Sequence, residues 1–539
     1  MPRLWPRVLA FLAAPAQRRA AAQRFAGDER GVVAVIFAIA FAGFFLMAAI
    51  AIDFGRTETE HMRMQNALDA AALAASHKLG LPEQDTAGPL TADAYFKANT
   101  LKHPDVSSLS QVTLDADKGE VLAKARGSVL TSLLKAVGIR QVGLGSSTTV
   151  RKGKGTIEVA LVLDNSGSMA GQPVADLRVA AQNLVNVLFA GYEGTDKVKI
   201  GIVPFAASVN VGTINRTAPW MDQTGASPTH FENFAENRTR FELFSQMGTS
   251  WGGCVEVRPS PHDVTDSLPS PSTPSSLFVP MFAPDEPDSA NAGGSSYDNS
   301  YLSDSGGDCP VPPVTCVRYS RRGNCREWSQ PPPIPAAEAQ ARTCKYNNTS
   351  IGSSAGPNYL CDSGPILDLT ADKSALITKV QGMQAKGGTN ILEGIMWGWR
   401  VLSPEEPFTA GRSYNDPENT KYLVVMTDGE NWHQAKSNHN KSSYHSFGYA
   451  VKGRLGSTYT TSALISQMNT KTQAACTNAK AAGIKIYTIA FRLDDPTTRA
   501  MLTACASTAS DAYSASNGAA LTQVFESIAR EIAKLRVAG

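Results

Sequence analysis

TIEVALVLDNSGSM, residues 156–169, opens on an apolar run rich in β-branched side chains and closes on a polar loop. The run does not alternate between apolar and polar residues, so it reads as a strand buried on both faces, the pattern of a parallel sheet. A helical pattern follows at 173–190 (PVADLRVAAQNLVNVLFA). Comparable strand runs recur as VKIGIVPFA at 198–206, YLVVMTD at 422–428 and IKIYTIAF at 484–491, each beside a helical stretch. Strands alternating with helices imply right-handed crossovers and an α/β fold with a doubly wound parallel sheet. In such sheets ligands sit beyond the carboxyl ends of the strands, where the strand order reverses.

Three polar elements fall at those ends. They are Asp164, Ser166 and Ser168 in DNSGS, Thr389 in GGTN before a helix starting near Ile391, and Asp428 in TDGEN. Two carboxylates and three hydroxyls are hard oxygen donors suited to Mg²⁺ or Mn²⁺, with Ca²⁺ as the alternative. In D-x-S-x-S a turning loop can aim alternate side chains at one point, and Gly167 relieves crowding between them. Each element alone reads equally as a strand-ending turn. Taken together and in order, they resemble the metal-ion-dependent adhesion site of von Willebrand factor A domains. The resemblance runs from about residue 155 to 535 and implies a Rossmann-like domain over 151–539, closed by a helix near 518–535. It also implies that the serines and the threonine coordinate the ion while the aspartates act through water. A coordination position is then left for a partner's Asp or Glu carboxylate.

Two stretches interrupt that domain, at about 210–364 and 431–457. The first is turn-rich and poor in aliphatics, and an unstapled loop of that length is improbable in a compact domain. It holds Cys254, Cys309, Cys316, Cys325, Cys344 and Cys361, and none of the eight cysteines forms a C-x-x-C pair. Disulfides in an oxidising compartment are the expectation, with fifteen connectivities open to six cysteines. Cys476 and Cys505 flank the last core strand and are expected to pair. His433, His439 and His445 in the second stretch lack a helix or strand to converge them on zinc, and read as solvated loop histidines.

Residues 31–52, GVVAVIFAIAFAGFFLMAAIAI, carry no charge. As a helix they span about 33 Å, enough for the hydrocarbon core of a bilayer. Upstream lie Arg3, Arg7, Arg18, Arg19, Arg24 and Arg30 against Asp28 and Glu29. This bias puts residues 1–30 in the cytoplasm and the long remainder outside. A cleaved signal peptide, the alternative, exports residues 60–539 as well. A helical extension follows at 53–79, then a small α+β linking module at 80–150 with strands around one short helix. RGVVAVIFAIAFAGFFLMAAIAIDFGR followed by MQNALDAAALAAS is similar to the N-terminal segment of TadG-type proteins of the Flp (Tad) pilus assembly system. That resemblance implies a bacterial inner-membrane protein with a single pass, its C-terminal domain periplasmic or surface-directed.

Fifty basic residues against 48 acidic ones give no electrostatic case for nucleic-acid binding. The combined expectation is a membrane-anchored pilus assembly or adhesion protein, not an enzyme. It would bind pilus or envelope components through a divalent metal. A surface adhesin outside pilus assembly is the alternative. A metal-dependent hydrolase is the weakest, since no Lys or His stands as an evident base beside the motif.

Overall fold

A computed structural model of the protein describes residues 32–538 apart from 77, 79–82, 102, 104–105, 116–119, 152–154, 191, 311–312, 330–331, 350 and 352–354. The expected cytoplasmic N-terminus, 1–30, and Gly31 lie outside the described residues. The chain divides into two compact units, one up to residue 153 and one over 154–536.

The first unit is built on one 45-residue helix, α1 (Val32–Ser76). Its N-terminal half exposes apolar side chains almost all round, and it is long and apolar enough to cross a membrane. Its C-terminal half buries a stripe of Met64, Leu68, Ala71, Ala72 and Ala75, spaced three and four residues apart as one helix face requires. That stripe packs with α2 (Gln84–Thr100) on an antiparallel sheet of β1 (Ser107–Asp115), β2 (Glu120–Leu130) and β3 (Gln141–Arg151). On β2 every second residue, Val121, Ala123 and Ala125, points into this core. Small side chains on both faces let helix and sheet approach closely.

The second unit holds, in chain order, β4 (Thr156–Asp164), α3 (Gln172–Phe189), β5 (Val198–Phe205) and α4 (Arg240–Gln246). A hairpin of β6 (Cys316–Tyr319) and β7 (Cys325–Trp328) follows, then α5 (Ala336–Ala341), β8 (Leu367–Thr370) and α6 (Lys373–Gln381). The chain continues through α7 (Ile391–Leu402), β9 (Asn419–Thr427), α8 (Thr461–Ala481) and β10 (Lys485–Phe491). It ends with α9 (Pro496–Cys505), β11 (Ala512–Ala515) and α10 (Gly518–Ala538). The central sheet runs β11-β10-β9-β4-β5-β8, parallel throughout except for the edge strand β8, which pairs antiparallel with β5. This is the doubly wound order, with the reversal between β4 and β9. The expected doubly wound parallel sheet is thus present, with one antiparallel strand added at its edge.

Both faces of the sheet are covered, which is why β4 reads as a continuous apolar run. Val159, Leu161 and Leu163 pack toward α3 and α10, while Ala160 and Val162 pack toward α7 and α8. Helix α7 is buried along its whole length. Its glycines permit that approach: a Cβ on Gly394 would stand 2.8 Å from Phe205 Cδ1, and one on Gly398 would stand 2.4 Å from Val162 Cγ2.

The long insertion is packed, not merely stapled. Trp220, Phe244, Phe278 and Phe282 join the core beneath α7. Its polar interior is wired by buried charges. The Arg240 guanidinium, 0% exposed, donates to Glu256 Oε1 at 2.5 Å and to the carbonyls of Thr229, His230 and Pro280 at 3.0 Å each. Lys345, equally buried, pairs with Asp285 at 2.7 Å and Asp304 at 3.3 Å. A buried cation of this kind is tolerated only with its partners in place, so these contacts fix the path of a chain that lacks periodic structure. The disulfides are Cys254–Cys361, Cys309–Cys344, Cys316–Cys325 and Cys476–Cys505, leaving no free cysteine.

Candidate metal centre

β4 and β9 are neighbours, and their crossovers leave the sheet in opposite directions. The crevice between their carboxyl ends receives Asp164 as the last residue of β4 and Asp428 just after β9. Asp164 is fully buried and held twice: Oδ1 accepts from the Ser166 N–H at 2.8 Å and Oδ2 from the Thr427 hydroxyl at 2.5 Å. The turn after it aims Ser166 and Ser168 together, their hydroxyl oxygens 3.0 Å apart. Ser168 in turn donates to Asp428 Oδ1 at 2.5 Å.

Thr389 arrives on a separate loop before α7, tied to the β4 turn at several points. Gly167 N–H donates to Gly387 O at 2.8 Å, Lys386 N–H to Asn165 O at 2.8 Å, and the Asn165 side-chain amide to Gln384 O at 2.9 Å. Below it, Asn390 caps α7 through Glu393 N–H, and its own N–H donates to Ala206 O at 2.9 Å. The Ser168 and Thr389 hydroxyls each lie 3.6 Å from where a Cβ on Gly429 would stand. The glycine therefore leaves open a small cradle that both hydroxyls face. All five residues singled out in the sequence meet on this rim. Thr427, Asn165 and Gly429, which position them, were not read from the sequence. Thr427 carried one signal, its place beside Asp428 at a strand end.

Burial and the nearby charge of Asp428 push the Asp164 carboxyl up from its ordinary 3.8 to about 6, against the pull of the Ser166 and Thr427 hydrogen bonds. Burial raises Asp428 as well, opposed by the Ser168 hydroxyl and the Arg492 charge. Arg492 itself is paired with Asp176 at 2.9 Å. The rim thus concentrates negative charge in a partly dry crevice, and its donors are all oxygen. That combination fits a hard divalent cation. Among the described residues no group of three or more His, Cys, Asp or Glu could hold a metal ion; the rim itself has two carboxylates, its other oxygens being hydroxyls.

The histidines of the second insertion differ from the expectation of solvated loop residues. His433 and His445 are buried and stacked, ring centroids 4.6 Å apart, whereas His439 meets the Tyr297 hydroxyl at 2.7 Å elsewhere. Burial pushes His433 down to about 4 and His445 well below its ordinary value. The pair packs as neutral aromatic rings beside Trp432, whose backbone N–H donates to Thr389 O at 2.8 Å.

Residues 31–78 match the family model described as a putative Flp pilus-assembly TadE/G-like segment. A search of curated proteins gives no match. Among solved structures, similar chains include the vWF domain of the type V pili tip protein Mfa5 from Porphyromonas gingivalis, at 10% identity and TM-score 0.33, covering 71% of this chain and 97% of that one. A mutant of the PilB minor pilin from Streptococcus sanguinis aligns at 12% identity and TM-score 0.31, covering 79% of this chain and 77% of that one. The pilus adhesin RrgA from Streptococcus pneumoniae aligns at 9% and 0.33, covering 79% of this chain and 48% of that one. The chain therefore carries a segment at residues 31–78 that is similar to TadE/G-like pilus-assembly proteins, followed by a unit built on a doubly wound, mostly parallel sheet.

Proposed function

We propose that this chain is a membrane-anchored pilus assembly or adhesion protein that grips an acidic group on a pilus or envelope partner through a divalent cation. The observation that carries the reading is the convergence of Asp164, Ser166, Ser168, Thr389 and Asp428 at the reversal of strand order, around a cradle kept open by Gly429. Bound Mg²⁺ or Mn²⁺ supplies concentrated positive charge and a coordination position open to a partner's Asp or Glu carboxylate. The chain's own residues prepare that exchange. Ser166, Ser168 and Thr389 offer neutral oxygens. Asp164 is locked in orientation by Ser166 N–H and Thr427, and Asp428 supplies the second negative charge. Hydroxyls and carboxylates gathered by hydrogen bonds support reading the rim as a binding device. Anchoring by the apolar helix puts residues 1–30 in the cytoplasm and the larger unit in the periplasm or toward the cell surface, where four disulfides are stable.

Calorimetric titration of the detergent-purified full chain with Mn²⁺ tests the site. Wild type is expected to bind one ion per chain. Asp164→Ala and Ser168→Ala, with unchanged circular dichroism, are expected to weaken binding at least about tenfold, or 1.4 kcal/mol. Equal affinity in all three proteins would remove the metal from the account.

A further inference from the structure

We infer that the turn joining β2 to β3 is an interfacial anchor that inserts its apolar tip into the lipid leaflet around the exit of α1. The inference rests on the reading of residues 33–52 as a membrane span. Asp53 directly follows that span and is 2% exposed. Its carboxylate accepts three successive backbone N–H groups, Ser132 at 2.8 Å, Leu133 at 2.9 Å and Leu134 at 2.7 Å. Arg56, less than one helical turn on, donates to the Ser132 hydroxyl. The turn is therefore fixed to the helix at the level where the span ends, within about one 5.4 Å pitch.

The turn is closed and defined. Thr131 N–H donates to Arg140 O at 3.1 Å, its hydroxyl donates to Ile139 O at 2.5 Å, and Gly138 adopts φ 93 at the bend. Such a turn ordinarily ends on polar residues, yet here Leu130 is 72% exposed, Val137 58% and Ile139 48%. Leu130 lines the same cleft as Ala51 and Ile52 at the end of the span, where Ile52 and Phe54 are also exposed. Residues 130–140, LTSLLKAVGIR, contain Lys135 and Arg140 and no carboxylate, so the polar part of the turn suits anionic headgroups. Continuity with the lipid-facing helix and this charge select a bilayer, not a second protein, as the occupant.

Site-directed photocrosslinking on the full chain tests this in vesicles of phosphatidylethanolamine and phosphatidylglycerol. A benzophenone side chain is placed in turn at Phe41 within the span, at Val137, at Ile139, and at Thr149, an exposed residue on β3. Thr149 lies eight residues beyond Gln141, about 27 Å farther at the rise of a strand. Lipid adducts are expected at 41, 137 and 139 and not at 149. Asp53→Asn should reduce the adduct at 137 and leave that at 41 unchanged. Adduct at 41 but none at 137 or 139, or a 137 adduct to a second protein chain, overturns the anchor alone. Absence at 41 overturns the membrane span, and the anchor with it.

Discussion

Replacing Asp164 by Asn should make the metal-free protein more stable while disabling its site. In the wild type the folded-state carboxyl titrates near 6, whereas in the unfolded chain it titrates at its ordinary 3.8. Between those values the unfolded chain has released its proton and the folded chain still holds it, so this group's contribution to stability falls as pH rises through the window. Above about pH 6 the full penalty applies, and the gap between the two values corresponds to about 3 kcal/mol. Asn matches the carboxylate in size. Its oxygen can still accept the Ser166 N–H, and its amide can donate to the Thr427 hydroxyl oxygen. The variant should therefore equal wild type below pH 4 and exceed it by up to about 3 kcal/mol above pH 6 in EDTA. In Mn²⁺ the order should close or reverse, because a cation at a hundred times its Kd stabilises the protein that binds it by about 2.7 kcal/mol. Urea unfolding followed by tryptophan fluorescence reads this directly, since every tryptophan except Trp5 lies in the second unit. Comparing the two proteins at each pH cancels titrations elsewhere. A variant less stable than wild type at pH 8 in EDTA, or one stabilised equally by Mn²⁺, refutes the reasoning.

Other groups give separable tests. His433, depressed to about 4 by burial, contributes stability that is complete above pH 6.5 and lost as pH falls toward 4, about 3 kcal/mol in all. His433→Leu should flatten that acid limb in pH-dependent urea midpoints. Gly398→Ala would set a Cβ 2.4 Å from Val162 Cγ2 and 2.5 Å from Leu423 Cδ1, and overpacking there should cost about 1–3 kcal/mol in urea unfolding. Paired Cys→Ser changes should rank by loop length: losing Cys254–Cys361, separated by 107 residues, should cost about 2 kcal/mol more than losing Cys316–Cys325, separated by nine.

The central strands were legible because they are buried on both faces: TIEVALVL, YLVVMTD and IKIYTIAF needed only continuity and β-branching to declare themselves. β8 was not, since LDLT is four residues long with a single buried side chain, and pairing with β5 rather than periodicity makes it a strand. The convergence of Asp164, Ser166, Ser168 and Asp428 could be read from residue types and order, because strand ends bring D-x-S-x-S and TDGEN to one crevice. Their support could not. Thr427 and Asn165 act through hydrogen bonds to residues hundreds of positions away or in another loop, and no local pattern marks them. The insertion looked like loop because its order comes from buried ion pairs around Arg240 and Lys345. His433 and His445 looked solvated for the same reason: their burial is made by tertiary packing, not by neighbours in sequence.

The most direct test of the account is piliation, counted by electron microscopy, in a strain deleted for this protein and complemented with wild type or Asp164→Asn at equal protein level. The deletion is expected to lose pili, wild type to restore them, and the stably folded Asp164→Asn not to. Pili restored by the variant would contradict it, leaving the rim without a part in assembly.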